Sequence, residues 1–425
     1  MIRWEAPRAS SPVTGEILVP GSKSATARSY LLAAMADGPS TIQGVLTARD
    51  TELMRAGLAG LGVEFADLGP DSVRVRPPAG FVGGATVDVG LAGTVMRFLP
   101  PIAALTSPAT RFVGDPGAAA RPVAPLLAAL AAMGAQVSEP YRLPFSVSGP
   151  LSPISHVSLD ASGSSQFVSA LLLVGARLPE GLTVSHTGDR LPSLPHIDMT
   201  IRMLADRGVP VERPTTSSWR VLPGLISPVA ERVEPDLTNA ATLLAAAVVT
   251  GGRLTTAWPE HSLQAADALA GALAAFGAEI SYDGSGTTRR ITVQGPGRIT
   301  GAQLDLHEIS EITPAAAALA ALADSPSVIT GVGHIRSHET DRLAALTQEL
   351  TNLGGRARET ADGLEIDPAP LHGGVFHTHA DHRLAHAAAL LGLVVDGIVL
   401  DDVGCTSKTL PDFPGLWQTM LGAAT

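Results

Sequence analysis

One kind of helix start recurs six times along the 425 residues, at a spacing of roughly seventy. The starts are Ser22-Lys23, Gly93-Thr94, Gly163-Ser164-Ser165, Asp236-Leu237-Thr238, Thr313-Pro314 and Ala380-Asp381. Each opens a small, apolar, Ala/Leu-rich run, followed by Gly or Pro punctuation and a β-like segment such as Leu182-Thr183-Val184 or Ile398-Val399-Leu400. A second helix start follows in every copy: Asp50-Thr51, Arg121-Pro122, Ser193–Pro195, Pro259-Glu260, Glu339-Thr340 and Thr409–Pro411. In five copies that second helix runs into a glycine stop, at Gly62, Gly134, Gly208, Gly277 and Gly354, the usual helix C-cap. The chain therefore reads as six copies of a two-helix, several-strand α/β unit. Three copies make a domain of ordinary size, which places a boundary near Val233–Pro235. An extended segment, residues 11–19, precedes the first helix start just as residues 224–235 precede the fourth. Local periodicity leaves open which domain it joins.

Composition narrows the function. Apolar residues make up 45% and charged ones 16%, which describes a well-buried globular chain. A net charge of −11 with 4% aromatics lacks the basic stripes and stacking platforms of a nucleic-acid binder. Cys405, the single cysteine, excludes an internal disulfide and fits a reducing compartment. The start MIRWEAPRASSP has no apolar signal core, and no apolar run approaches the ~20 residues a membrane helix needs; Ala240–Val249, for one, is half that. The expectation is a cytoplasmic, soluble monomer without membrane or nucleic-acid partners.

Of 29 basic residues only two, Lys23 and Lys408, are lysines. A lysine retained against that bias marks a place where a compact ammonium with a tunable pKa does what a guanidinium fork cannot. Lys23 lies in the capping turn of GSKSATARS, where free backbone N–H groups and the helix dipole favour an anion, and Ser24 and Arg28, four apart, share its face. Other polar residues of unusual kind also collect at the helix starts. Gly93 in LAGTVMRF permits close backbone approach; Arg121 precedes a proline at a first helical position; Ser164, Ser165 and Gln166 offer three hydrogen-bonding groups; Ser193 sits in LPSLPH. The second half adds Glu311, the run HIRSHETDR with His334, His338, Glu339 and Arg342, then Arg383 after the cap Asp381, and Lys408 in CTSKTLPDF. Taken singly, such serines and aspartates are caps and such arginines solvated charges. Their recurrence at equivalent points of a repeat argues for one anion-binding site. His377, His379, Asp381, His382 and His386 could be read as metal ligands, but no HExxH pattern or nearby cysteine supports that, and a polar loop entering a capped helix is preferred.

The motifs GSKSATAR, LAGTVMR, Arg121-Pro122, SSQF, HETDR, ADHR and TSKTLPDF, spread from residue 21 to 413, resemble those of the 3-phosphoshikimate 1-carboxyvinyltransferase (EPSP synthase) family in the same order. The resemblance implies the enolpyruvyl transferase fold, an inside-out α/β barrel of two similar domains, each of three βαβαββ units. It implies one domain over residues 20–234, a second from residues 1–19 with 235–425, and an active site in the cleft between them. The implied reaction moves the enolpyruvyl group of phosphoenolpyruvate to the 5-hydroxyl of shikimate 3-phosphate, releasing phosphate on the route to chorismate and the aromatic amino acids. No metal or organic cofactor is implied. By motif, Lys23, Ser24, Arg28, Ser164, Ser165, Gln166, Ser193, Glu311 and His338 would hold shikimate 3-phosphate. Lys23, Gly93, Arg121, Gln166, Arg342, Arg383 and Lys408 would hold phosphoenolpyruvate.

That division suits the chemistry, because phosphoenolpyruvate presents a carboxylate and a phosphate to separate forks and point charges. Each close pair is worth up to ~4 kcal/mol at an effective dielectric near 20. Protons must leave the attacking hydroxyl and reach C3, which assigns Glu311 to the hydroxyl, Glu339 to C3 and Lys23 as a third carrier. Three positions and one loop depart from the commoner family pattern. His338 replaces a frequent Lys and His334 a frequent Asn, so a histidine titrating near neutrality is expected there. Leu91 replaces a usual Asn, and the loop Gly117–Ala120 is small and apolar. Gly93 is retained, which implies glyphosate-sensitive geometry. Two alternatives stand beside this reading: the sister transferase acting on UDP-N-acetylglucosamine, and an inactive phosphosugar-binding paralogue. The first usually carries a loop cysteine, absent here between Gly114 and Arg121, and a Lys-Asn pair where this chain has Lys23-Ser24. Both carboxylates, Glu311 and Glu339, weigh against the second.

Overall fold

The computed structural model describes residues 1–422. Contacts within the backbone divide the chain into two compact units, Gly21–Glu234 and Met1–Pro20 with Pro235 onward. In each unit the helices that open the repeats are buried on almost every side. Gly93–Ala103 and Thr313–Ala321 are buried at every position, and Leu237–Thr250 at nearly all. A helix apolar all round belongs inside a protein rather than on it, and Ala-rich sequences let such helices pack closely. The sheets lie outside them with alternating burial, as in Ser72–Arg76, where Val73 and Val75 are buried and Arg74 and Arg76 exposed. In the second unit one continuous apolar core joins Leu243, Leu319, Leu390 and Trp258.

The repeat is plainest at its second copy. Strand Thr86–Asp88, helix Gly93–Ala103, strand Thr110–Val113, helix Ala124–Ala132 and the hairpin Gln136–Val137/Phe145–Ser148 follow in order. Thr86–Asp88 pairs parallel with Thr110–Val113, which pairs antiparallel with Phe145–Ser148. This is a βαβαββ unit, closed into a four-stranded sheet. The leading strand of the first copy comes from the far end of its unit, Ala230–Arg232, lying parallel to Ser40–Gln43. The fourth copy takes Thr14–Glu16, parallel to Arg253–Ala257.

Local chemistry sets the helix boundaries. Ser22 accepts a hydrogen bond from the Ala25 amide (3.3 Å), Asp236 from Asn239 (3.0 Å), Asp341 from Ala344 (3.1 Å) and Asp381 from Arg383 (2.9 Å). Each such cap stabilises its helix by about 1 kcal/mol. The five stop glycines take φ values from 80° to 98°, a conformation that a side chain would strain.

Two expectations need correction. Pro259-Glu260 does not begin a helix; the helix there is Ala266–Ala275. Residues before it are occupied elsewhere: Glu260 accepts from the Gly286 amide, while Gln264 accepts from Leu237 N–H and donates to Pro235 O. The sixth copy is also incomplete. It has Gly374–Phe376, helix His382–Gly392, Ile398–Leu400 and helix Phe413–Gly422, but no hairpin among the described residues, and Trp4–Glu5 pairs antiparallel to Ile398–Leu400 instead.

Candidate active site

In the Gly21–Glu234 unit, bonds between side chains join the three buried helix starts. Arg28 is buried, and its guanidinium meets only neutral acceptors: Thr200 Oγ1 at 2.7 Å, Ser24 O and His196 O at 3.0 Å, and Ser169 Oγ at 3.4 Å. It also lies over the Phe98 ring, 5.1 Å from the centroid. Burial pulls its pKa down to about 9, a sign that no carboxylate compensates the desolvated charge. Thus Arg28 ties Ser24 to the helix Gln166–Gly175 through Ser169 and to the helix Leu194–Ala205 through Thr200 and His196. The latter helix begins at Ser193, whose φ of 51° is left-handed and uncommon for a side-chain-bearing residue.

Gln166 is held by a residue that sequence reading passed over. Its Oε1 accepts from Arg97 Nη1 (2.9 Å), while Arg97 Nε and Nη2 donate to Pro122 O. The only signal in the sequence was Arg97's place at the end of LAGTVMR, inside an apolar run. Pro122 brings its neighbour Arg121 alongside. Arg121 Nη1 donates to Leu91 O at 2.8 Å, and its guanidinium covers Gly93 so closely that a Cβ there would stand 2.8 Å from Nη2. At the adjoining helix start, Ser164 Oγ accepts from the Gln166 amide (3.3 Å), and Ser165 precedes the helix. Lys23 opens the first helix, with its ammonium 3.7 Å from the buried Asp50 carboxylate.

In the other unit the expected residues converge on Arg342, whose side chain is 0% exposed. Asp341 caps the helix Arg342–Asn352, which points Arg342 inward at its first turn. Arg342 Nε and Nη2 donate to the two oxygens of Asp381 (2.7 and 3.3 Å), Nη1 to Glu311 Oε2 (2.9 Å), and Nη2 to Glu339 Oε2 (2.8 Å). Arg383 Nε donates to the same Glu311 oxygen at 2.7 Å. Lys408 Nζ donates to Glu339 Oε1, and His338 Nδ1 stands 3.1 Å from Arg342 Nη1 and 3.4 Å from Glu311 Oε1. Three cations and three carboxylates therefore balance one another. Asp381, expected only to cap a helix, is also the fully buried clamp on Arg342. Pairing and hydrogen bonding on every side offset the cost of desolvating Arg342 and Asp381.

Electrostatics follow from that packing. Burial alone would raise the Glu311 carboxyl, but Arg342, Arg383 and then His338 outweigh it and hold the group well below the ordinary carboxylate range. Burial likewise opposes the charge on Arg342, and Asp381, Glu311 and Glu339 overcome it, raising its pKa. His334 departs from expectation. Burial pushes it down to about 4, so it stays neutral at physiological pH, 2.9 Å from Ser310 Oγ. The histidine-rich loop does not gather a metal site: His377 meets Asp401, His379 meets Glu349, and His382 and His386 pack edge-on within the core, with no metal-holding cluster among the described residues.

Comparison with known proteins bears on the fold and the family. Two EPSP synthase structures from Acinetobacter baumannii superpose with TM-scores of 0.80 and 0.78 at 23% and 22% identity, each pairing covering 98% of both chains. The enolpyruvyl transferase NikO from Streptomyces tendae superposes at 0.74 with 18% identity, over 97% of this chain and 96% of its own. Those likenesses establish the two-domain enolpyruvyl transferase fold. The family model for EPSP synthase (3-phosphoshikimate 1-carboxyvinyltransferase) matches residues 7–417, nearly the whole sequence, and so the chain belongs to that family.

Proposed function

We propose that the cationic helix starts of two domains, residues 20–234 and residues 1–19 with 235–425, act on one pair of substrates. The reaction is the family's: phosphoenolpyruvate and shikimate 3-phosphate give 5-enolpyruvylshikimate 3-phosphate and phosphate, a step in aromatic amino acid biosynthesis and the target of glyphosate. Lys23, Ser24, Arg28, Ser164, Ser165, Gln166 and Ser193, with Glu311 and His338, hold shikimate 3-phosphate. Lys23, Gly93, Arg121, Gln166, Arg342, Arg383 and Lys408 hold phosphoenolpyruvate. The observation that carries the first set is Arg28, a desolvated guanidinium surrounded by neutral acceptors, which suits an incoming anion. No helix among the described residues is long and apolar enough to cross a membrane, and the protein is read as a cytoplasmic monomer.

Glu311 serves as base for the 5-hydroxyl, and its salt bridges say when. A carboxylate clamped by two guanidiniums is a poor proton acceptor. Once the carboxylate of phosphoenolpyruvate draws Arg342 and Arg383 toward itself, Glu311 loses part of that stabilisation and gains basicity beside the hydroxyl. The hydroxyl oxygen then bonds to C2 and passes its proton to Glu311, while C3 takes a proton from Glu339, which enters this step protonated and recovers that proton when the adduct collapses; Lys23 remains a third carrier. The adduct next expels phosphate and returns a methyl proton, giving the enol ether. Lys408 and Arg342 hold Glu339 in place, and orientation by the closed site supplies much of the remaining acceleration. The test is phosphate release from phosphoenolpyruvate with shikimate 3-phosphate, with UDP-N-acetylglucosamine, or with neither. Release is expected only with the first, and release with the second alone would overturn the substrate assignment.

A further inference from the structure

Helix Arg342–Asn352 carries a second fully buried charge, Glu349, seven residues and therefore two turns beyond Arg342, on the same face. The proposed chemistry does not use it. Its Oε2 accepts from the backbone N–H of His377 and its Oε1 from His379 Nε2, both at 3.0 Å. A carboxylate only accepts, so the His379 ring proton sits on Nε2. On the other side, Asp401 Oδ1 accepts from both Thr378 N–H and Thr378 Oγ1 at 2.9 Å, and Asp401 Oδ2 meets His377 Nδ1 at 3.1 Å. Two carboxylates thus grip three consecutive residues.

The gripped segment runs directly into a strained turn. His379 and Ala380 have φ values of 51° and 54°, both left-handed and neither a glycine. Consecutive side-chain-bearing residues hold this conformation only where the surroundings over-determine it. The next residue is Asp381, which clamps Arg342, and two further on is Arg383, which holds Glu311. Helix and loop are therefore joined twice: through Arg342–Asp381 at the site, and through Glu349 two turns deeper.

We propose that Glu349 is a positioning residue for phosphoenolpyruvate binding. It fixes the turn that delivers Asp381 and Arg383, and so sets the guanidinium geometry without touching substrate. The inference rests on the assignment of Arg342 and Arg383 to phosphoenolpyruvate. Glu349→Ala, Glu349→Gln and the benchmark Arg383→Ala are to be compared by steady-state kinetics, shikimate 3-phosphate binding to the free enzyme by calorimetry, and thermal unfolding. Glu349→Ala is expected to raise KM for phosphoenolpyruvate at least tenfold and leave the Kd for shikimate 3-phosphate within about twofold. Glu349→Gln keeps one oxygen for the His377 amide, lets the His379 ring change tautomer, and is expected to recover most of that loss. Should Glu349→Ala fold poorly, the proposal stands or falls on Glu349→Gln, whose KM for phosphoenolpyruvate should still exceed the parent's by a measurable factor of two or more. An unchanged KM in the soluble variant, with only a lowered Tm, would overturn the positioning role. If Arg383→Ala itself leaves KM for phosphoenolpyruvate unchanged, it is the underlying assignment that fails.

Discussion

A methyl group placed on Gly93 separates the role of Arg121 from the stability of the fold. The added Cβ would stand 2.8 Å from Nη2 and 3.1 Å from Cζ and Nη1 of Arg121. Comfortable contact begins near 3.5 Å, so the guanidinium must withdraw by about 0.7 Å. It is the free end of a long side chain and can give way, straining its 2.8 Å bond to Leu91 O rather than the backbone. Alanine is also the better helix former, by up to about 1 kcal/mol, so Gly93→Ala should unfold at a Tm equal to or slightly above the parent's. A charge-assisted hydrogen bond to substrate is worth about 1.5–3 kcal/mol. Partial loss of one, about 1–2 kcal/mol, corresponds to a 5–30-fold rise in KM for phosphoenolpyruvate. Phosphate release at varied phosphoenolpyruvate and saturating shikimate 3-phosphate measures that rise, and calorimetry reads the binary Kd for shikimate 3-phosphate, which should hold. An unchanged KM for phosphoenolpyruvate would refute the placement of Arg121, as would an equal loss of affinity for both substrates.

Four further outcomes follow from the carboxylate network and the buried histidines. Glu339→Gln keeps size and hydrogen bonding but cannot cycle a proton, so kcat should fall by about 10²-fold or more while both KM values stay within a few-fold; full turnover would remove Glu339 from the C3 step. Because Glu311 has a folded pKa well below its ordinary value, its stabilising contribution is complete above the usual carboxylate range and disappears as pH falls through the depressed value. Glu311→Gln should therefore be less stable than the parent at pH 7 and converge with it in acid, as urea unfolding across pH would show. His386, pushed down to about 3 by burial and then by Arg383 and Arg342, favours the fold while neutral. That stability is present above about 6.5 and lost as pH falls toward 3, so His386→Leu should unfold at lower pH than the parent. His334, at about 4, should not shape activity near neutrality, and His334→Asn should leave the pH profile between about 6 and 9 unmoved.

The sequence alone determined the repeat, the helix starts with their caps at Ser22, Asp236 and Asp381, and the ends of those helices that carry the lysines and arginines. These are matters of local backbone chemistry: an orphan N–H, a glycine at positive φ, an apolar run of the right length. Tertiary structure decided which charges meet. Glu311 faces Arg383 across 72 positions of chain, Gln166 faces Arg97 across 69, and nothing in either neighbourhood names the partner. Packing likewise decided that His334 is too dry to titrate near neutrality and that Asp381 binds Arg342 as well as capping its helix. The missing hairpin of the sixth copy, replaced by Trp4–Glu5, belongs to the same class. A motif fixes the kind of group at a position, whereas its pKa and partners come from the summed field and burial of neighbours that sequence distance conceals.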